Sequence, residues 1–223
     1  MLASYVLLFF IYSFIGWIIE FTFFSLKTKK ISDRGFLIGP FLPIYGTGGI
    51  IMTLLLQKYV DDPLVVILVG AIFCSTLEYT TSYLMEKLFK ARWWDYSHMR
   101  FNLNGRISLL TSTLFGLGGY FTITFINPFM FSIFDSIPIT VLNITAITLS
   151  IVLLVDAIIS FKIIFNIRKI NIKFSFQDNT EEITENVKRI LTEKSALYRR
   201  LLKAFPSLKV QKPKPKKRNS SKS

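Results

Sequence analysis

The sequence has 223 residues, 51% hydrophobic and 15% aromatic, with a formal net charge of +13. Its long uncharged runs exclude an ordinary soluble domain. Cys74 is the single cysteine, so no intrachain disulfide framework exists.

Spanning the hydrocarbon takes roughly 20 apolar residues per helix, and five runs are candidates: 2–26, 43–57, 63–88, 109–126 and 139–161. The first has no basic residue before it, no small-residue cleavage site after it, and too long an apolar region for a signal peptide. It carries Glu20, seven residues before Lys27. Helical rise then places the carboxylate roughly 10 Å inside the edge. A carboxylate at that depth is expected to face protein or water and to have a partner.

Residues 33–49 follow, apolar enough for membrane depth yet containing two prolines and five glycines. Their first half is therefore not a regular helix. Non-helical backbone at that depth is tolerated where protein buries it or where it lines a polar cavity. Asp33 and Arg34 stand at its mouth and Tyr45 lies within it.

Asp61-Asp62-Pro63 makes a turn into helix three. Ser75, Glu78, Ser82 and Glu86, spaced by three or four, form one polar stripe on that helix. Glu78 lies nine residues before Lys87, at a depth like that of Glu20, while Glu86 is close enough to the interface to be solvated. The loop beyond holds Arg92, Trp93, Trp94, Asp95 and Tyr96, then Asn102, Asn104 and Arg106. Tryptophan and tyrosine beside charges suit the headgroup layer. Asn127-Pro128 is expected to end helix four. Helix five carries Asp156, six residues before Lys162, where it would snorkel, pair with Lys162, or join the deeper acids.

An offset of 70 aligns Gly35 with Gly105, Tyr45 with Phe115, and Gly46, Gly48 and Gly49 with Gly116, Gly118 and Gly119. Glu20 matches Glu78 at an offset of 58. Two parallel helix-hairpin repeats follow, about 2–59 and 63–126, as in some transporters. Loops one and three carry Lys27, Lys29, Lys30, Arg34, Lys87, Lys90, Arg92, Arg100 and Arg106, whereas loop two has Lys58 against two acids and loop four has no base. That bias predicts an outside N-terminus and an inside C-terminus.

Beyond Lys173 the chain turns polar. Asn179 with Glu182 forms a capping-box pattern. Apolar positions at helical spacing then predict an amphipathic helix to about Pro206. Seven basic residues and no acid follow Pro206. This tail reads as disordered and attracted to anionic lipid headgroups; no nucleic-acid-binding fold is visible. The expected architecture is an all-α integral membrane protein with five transmembrane helices. Its membrane domain covers 1–172, with the fifth helix at 139–162, followed by a cytoplasmic helix at 173–206 and a basic tail at 207–223.

The candidate site is a polar cluster of Glu20, Arg34, Tyr45, Glu78, Asp95, Tyr96, Asn102, Asn104 and Arg106. One reading is ligand binding, with freed backbone groups and helix N-termini nearby. The other is structural, with Glu20 and Glu78 each paired to Arg34 or Arg106. Glu78 or Asp95 could also serve as base on a lipid headgroup, but the spacing makes no catalytic assignment specific. There is no G-x-x-x-x-G-K-[ST] and no G-x-S-x-G. The lone His98 has no neighbour at metal spacing. No cofactor or metal is expected.

These residues resemble the bacterial family of putative ABC-transporter type IV membrane proteins. The resemblance rests on Gly16-Trp17 with Glu20, Arg34-Gly35-Phe36-Leu37, Gly39-Pro40, Pro43-Ile44-Tyr45-Gly46 and Glu78. It continues through Trp94-Asp95-Tyr96-Ser97 and the run from Phe101 to Ile107, covering roughly residues 5–125. Family members often show Trp at the position of Phe115 and Cys at that of Ser108. The fifth helix and tail lie outside the resemblance. It implies a permease-like transport or ligand-binding subunit in the bacterial cell membrane, and the size of the chain suggests a second copy or other transporter subunits beside it. The alternatives are an interfacial lipid enzyme and a non-catalytic scaffold.

Overall fold

The computed structural model describes residues 1–29, 35–89, 91–92, 94–174 and 209–210. Arg34, Trp93, the predicted helix at 179–205 and most of the basic tail lie outside them. Helix α1 (Leu2–Thr28) ends where Lys29 takes a left-handed φ of 53°. Residues 35–42 are not helical. Pro40 and Pro43 account for this, because each disfavours helical backbone at the residue before it and lacks an N–H. Pro43 then opens α2 (Pro43–Leu56), where its missing N–H costs nothing.

Four helices are long and apolar enough to cross a membrane: Leu2–Leu26, Pro63–Phe89, Leu109–Asp135 and Ile139–Ile163. Helix α2 is not among them. Its 14 residues rise only about 21 Å, so helix length alone does not establish the expected five spans. Helix α3 is Pro63–Phe89. Helix α4 (Leu109–Phe121) starts on Ser108, whose hydroxyl accepts from Thr111 N while Thr111 Oγ1 accepts from Ser108 N.

The expected end of helix four at Asn127-Pro128 is corrected. A π-helical turn, Thr122–Ile126, leads directly into α5 (Asn127–Asp135), and Pro128 sits at its start. The wider turn accommodates a proline that a regular ladder would reject. Helix α6 (Ile139–Phe174) runs 36 residues, well past the expected end near 162.

The helices alternate in direction, and small residues bring their backbones together. Gly46 of α2 abuts the Phe9 carbonyl and Ser13 Oγ of α1. Gly116 of α4 abuts the Ile67 carbonyl and Ala71 of α3. These contacts obey the same offsets, 70 for the glycines and 58 for their partners, as the sequence alignment. Tyr45 and Phe115, equivalent in that alignment, meet edge to face with centroids 6.4 Å apart. Close approach through small residues is the usual basis of helix packing in lipid.

The apolar core gathers where α1 begins. Ala3, Leu7, Leu8 and Tyr12 pack with Phe134, Leu142 and Ala146, and Met52, Leu56, Val66 and Ile123 form a second cluster. The other end of the bundle carries the loop between α3 and α4. There β2 (Asn102–Leu103) and β3 (Ile107–Ser108) form a hairpin. Its tip, Asn104-Gly105, has φ of 54° and 66°, which suits this residue pair. In the same loop region β1 (Ala91–Arg92) pairs antiparallel with β4 (Lys209–Val210), a short piece of the basic tail.

Candidate functional site

Two polar assemblies occupy the loop end of the bundle, and they have opposite character. The first is self-satisfied. Arg106 is buried and its Nη2 lies 2.7 Å from Glu86 Oε2. Arg106 Nη1 donates to Ser82 Oγ at 3.2 Å, and the guanidinium lies over the rings of Tyr79 and Tyr83 at 5.6 and 5.5 Å. Trp94 Nε1 donates to the Arg106 carbonyl. Arg92 reaches Glu86 Oε2 at 3.4 Å and Asp95 Oδ1 at 3.6 Å. The expected pairing of Arg106 with Glu20 or Glu78 is therefore corrected, because its partner is Glu86. The expectation of a solvated Glu86 is corrected too, since this carboxylate is buried against two guanidinium groups.

The second assembly holds Glu20, Tyr45, Glu78 and Tyr96. Tyr45 Oη donates to Glu20 Oε1 at 2.9 Å. Tyr96 Oη donates to Glu78 Oε1 at 3.1 Å. Gly16 packs directly on the Tyr45 ring, while Gly48 faces Cys74 and Leu77. Helix α2 thus sits between the two acidic helices with Tyr45 at their meeting point, Tyr45 lies within electrostatic reach of Glu20, Glu78 and Tyr96, and the two glutamates lie within reach of each other. Glu78 is 5% exposed, and its second oxygen, Oε2, is buried with no hydrogen-bond partner.

The hydroxyl arrangement shows how the hairpins differ. Tyr45 serves Glu20, but the equivalent position in the second hairpin is Phe115, which has no hydroxyl. Tyr96 from the loop supplies that donor instead. Of the loop residues predicted to cover the site, Tyr96 reaches Glu78 by a hydrogen bond. Asn102 shapes the loop, with Oδ1 accepting from Gly105 N and Nδ2 donating to Met99 O. Asn104 Nδ2 donates to Tyr79 Oη and its carbonyl accepts from Arg92. Asp95 accepts from Ser97 N as well as facing Arg92. Gly105 is required beneath Asp95, because a Cβ there would collide with Oδ1 and its backbone is left-handed.

Two further groups carry roles that the sequence did not disclose. Asp156 of α6 neither snorkels nor depends on Lys162. Its oxygens accept from Ile38 N at 2.8 Å and Gly39 N at 2.7 Å, and from Ser160 Oγ at 3.0 Å. A carboxylate thereby satisfies amides that the non-helical segment frees. Nearer the opposite end, Asn127 is fully buried. It accepts from Tyr12 Oη and donates to Gln57 Oε1 at 2.6 Å and Thr53 Oγ1 at 3.1 Å. The signal for this network is a Gln and an Asn within or beside apolar runs, where polar side chains seek one another.

Charged and hydroxyl groups buried between long apolar helices define a polytopic membrane protein with an internal polar site. The family described as Putative ABC-transporter type IV matches residues 7–161, and the chain belongs to it. The match runs through most of α6, including Asp156, further than the expected limit near residue 125. No curated protein and no solved structure matches the chain.

Proposed function

We propose that the chain is a permease-like transport or ligand-binding subunit of the bacterial cell membrane, with Glu20, Tyr45, Glu78 and Tyr96 as its site. The observation that carries this reading is Glu78 Oε2, an acceptor buried without a partner. A buried ionised carboxylate with an idle oxygen costs several kcal/mol unless a partner or a proton binds it. The neighbouring Arg106–Glu86 assembly supplies the structural contrast, because every part of it is satisfied within the chain.

In this reading the non-helical segment and α2 together make the second of five crossings. The N-terminus is outside and the C-terminus inside, so the site lies in the cytoplasmic half of the bilayer. The bases Lys29, Lys87, Arg92 and Arg100 at the loop end support this orientation. The basic tail rests on anionic headgroups, and the small core favours assembly with a second copy or other transporter subunits. A Cys74→Ser, Ser220→Cys variant should react with an impermeant thiol reagent from the cytoplasmic face only. Labelling from outside would reverse the orientation.

The binding site itself is tested by thermal unfolding of purified protein against cationic, anionic and neutral small molecules. A ligand at about 100 times its Kd stabilises by roughly 2.7 kcal/mol. At least one class should raise the wild-type midpoint by several degrees and leave Glu78→Gln unmoved. If no class shifts the wild type, or both proteins shift alike, the site is structural.

A further inference from the structure

Resting on that reading of the cluster, we infer that the group bound at Glu78 is a primary ammonium, carried by a free organic amine or by a lipid headgroup. The oxygens of Glu78 set the requirement. Oε1 already accepts from Tyr96 at 3.1 Å, and Oε2 is a buried acceptor that lacks a donor. The missing group must therefore donate. A positive charge suits the site, because a second carboxylate, Glu20, stands within electrostatic reach of Glu78, and among the described residues the buried guanidinium of Arg106 is held 2.7 Å from Glu86. An anion would face a carboxylate in a low-dielectric setting, and a neutral donor would leave the charge uncompensated.

Aromatic rings complete the chemistry. Tyr45 and Phe115 stack edge to face beside the acids, and such rings attract organic cations while accommodating their alkyl portion. A primary ammonium meets all three conditions, since it brings N–H donors, positive charge and an apolar stem.

The test uses full-length protein in phosphatidylcholine nanodiscs, with hexylammonium as probe and calorimetry as readout. Hexylammonium should bind saturably. Tetramethylammonium, which has no N–H, should bind about tenfold more weakly or worse, and hexanoate should not bind. Glu78→Gln should weaken hexylammonium by about tenfold or more. Tyr96→Phe keeps the carboxylate and should keep the preference for hexylammonium over hexanoate. Competition by added phosphatidylethanolamine supports a lipid headgroup as the source, and unchanged affinity supports a free amine. If hexanoate or hexanol binds and that binding is lost in Glu78→Gln, the ammonium assignment is overturned while the site stands. If no probe binds in a way that depends on Glu78, both are overturned.

Discussion

Glu78 and Glu86 stand two turns apart on one face of α3, and both are buried. Glu86 is locked between Arg106 and Arg92, whereas Glu78 has a single tyrosine hydroxyl. The stripe itself was legible, because residues three and four apart share a helix face whatever the tertiary structure. The choice of partner was not. One helical turn separates the alternatives, and the loop hairpin that delivers Arg106 decides between them. Removing Arg106 should therefore be costly for folding. Arg106→Ala removes the guanidinium 2.7 Å from the buried Glu86 carboxylate, and about 3–5 kcal/mol of stability should be lost. Replacing both partners, Arg106→Met with Glu86→Leu, should recover much of that loss. Denaturant or thermal unfolding of the purified variants checks this, and a single variant as stable as the double would show that the pair contributes little.

At the scale of elements, the central feature is the non-helical stretch at 35–42 between two helices. Its existence could be read from Pro40 and Pro43, since their effect on the backbone is local. Its anchoring could not, because the acceptor for the Ile38 and Gly39 amides is on α6, well over 100 residues away. The short second helix has a similar explanation. Glycines at 46, 48 and 49 announce close packing, but the number of residues left for regular helix depends on where the proline segment ends. The continuation through Asn127-Pro128 was missed because a π-helical turn absorbs a proline that propensity alone reads as a stop. If Asp156 holds the segment, Asp156→Ala should free two amides, each bond to the charged carboxylate contributing about 1.5–3 kcal/mol. Hydrogen exchange should then accelerate in the peptide covering 35–42 while the α3–α4 hairpin stays protected. Unchanged exchange at Ile38 and Gly39 would show that the segment is held by other contacts.

Across the described residues, the buried ionised side chains and the main apolar clusters lie toward opposite ends of the bundle, with the Asn127 network near the apolar end. The buried apolar clusters lie where α1 begins, and the buried Glu78, Glu86 and Arg106 gather at the loop end. Composition made the membrane class legible, because long apolar runs are a property of the sequence itself. Which acids are compensated is a property of assembly that no single stretch of sequence encodes. The fold satisfies Glu86 and Asp156 within the chain and leaves one oxygen of Glu78 without a partner, and the proposed ligand site rests on that contrast. The direct measurement is the stability of Glu78→Gln in the absence of any added ligand. The amide keeps the size of the side chain and the oxygen that Tyr96 addresses, and it removes a buried charge whose desolvation costs several kcal/mol. The variant should unfold at the same temperature as the wild type or a few degrees higher. A midpoint lowered by an amount equivalent to about 2 kcal/mol or more would mean that Glu78 holds the bundle together, and the ligand-site account would be wrong.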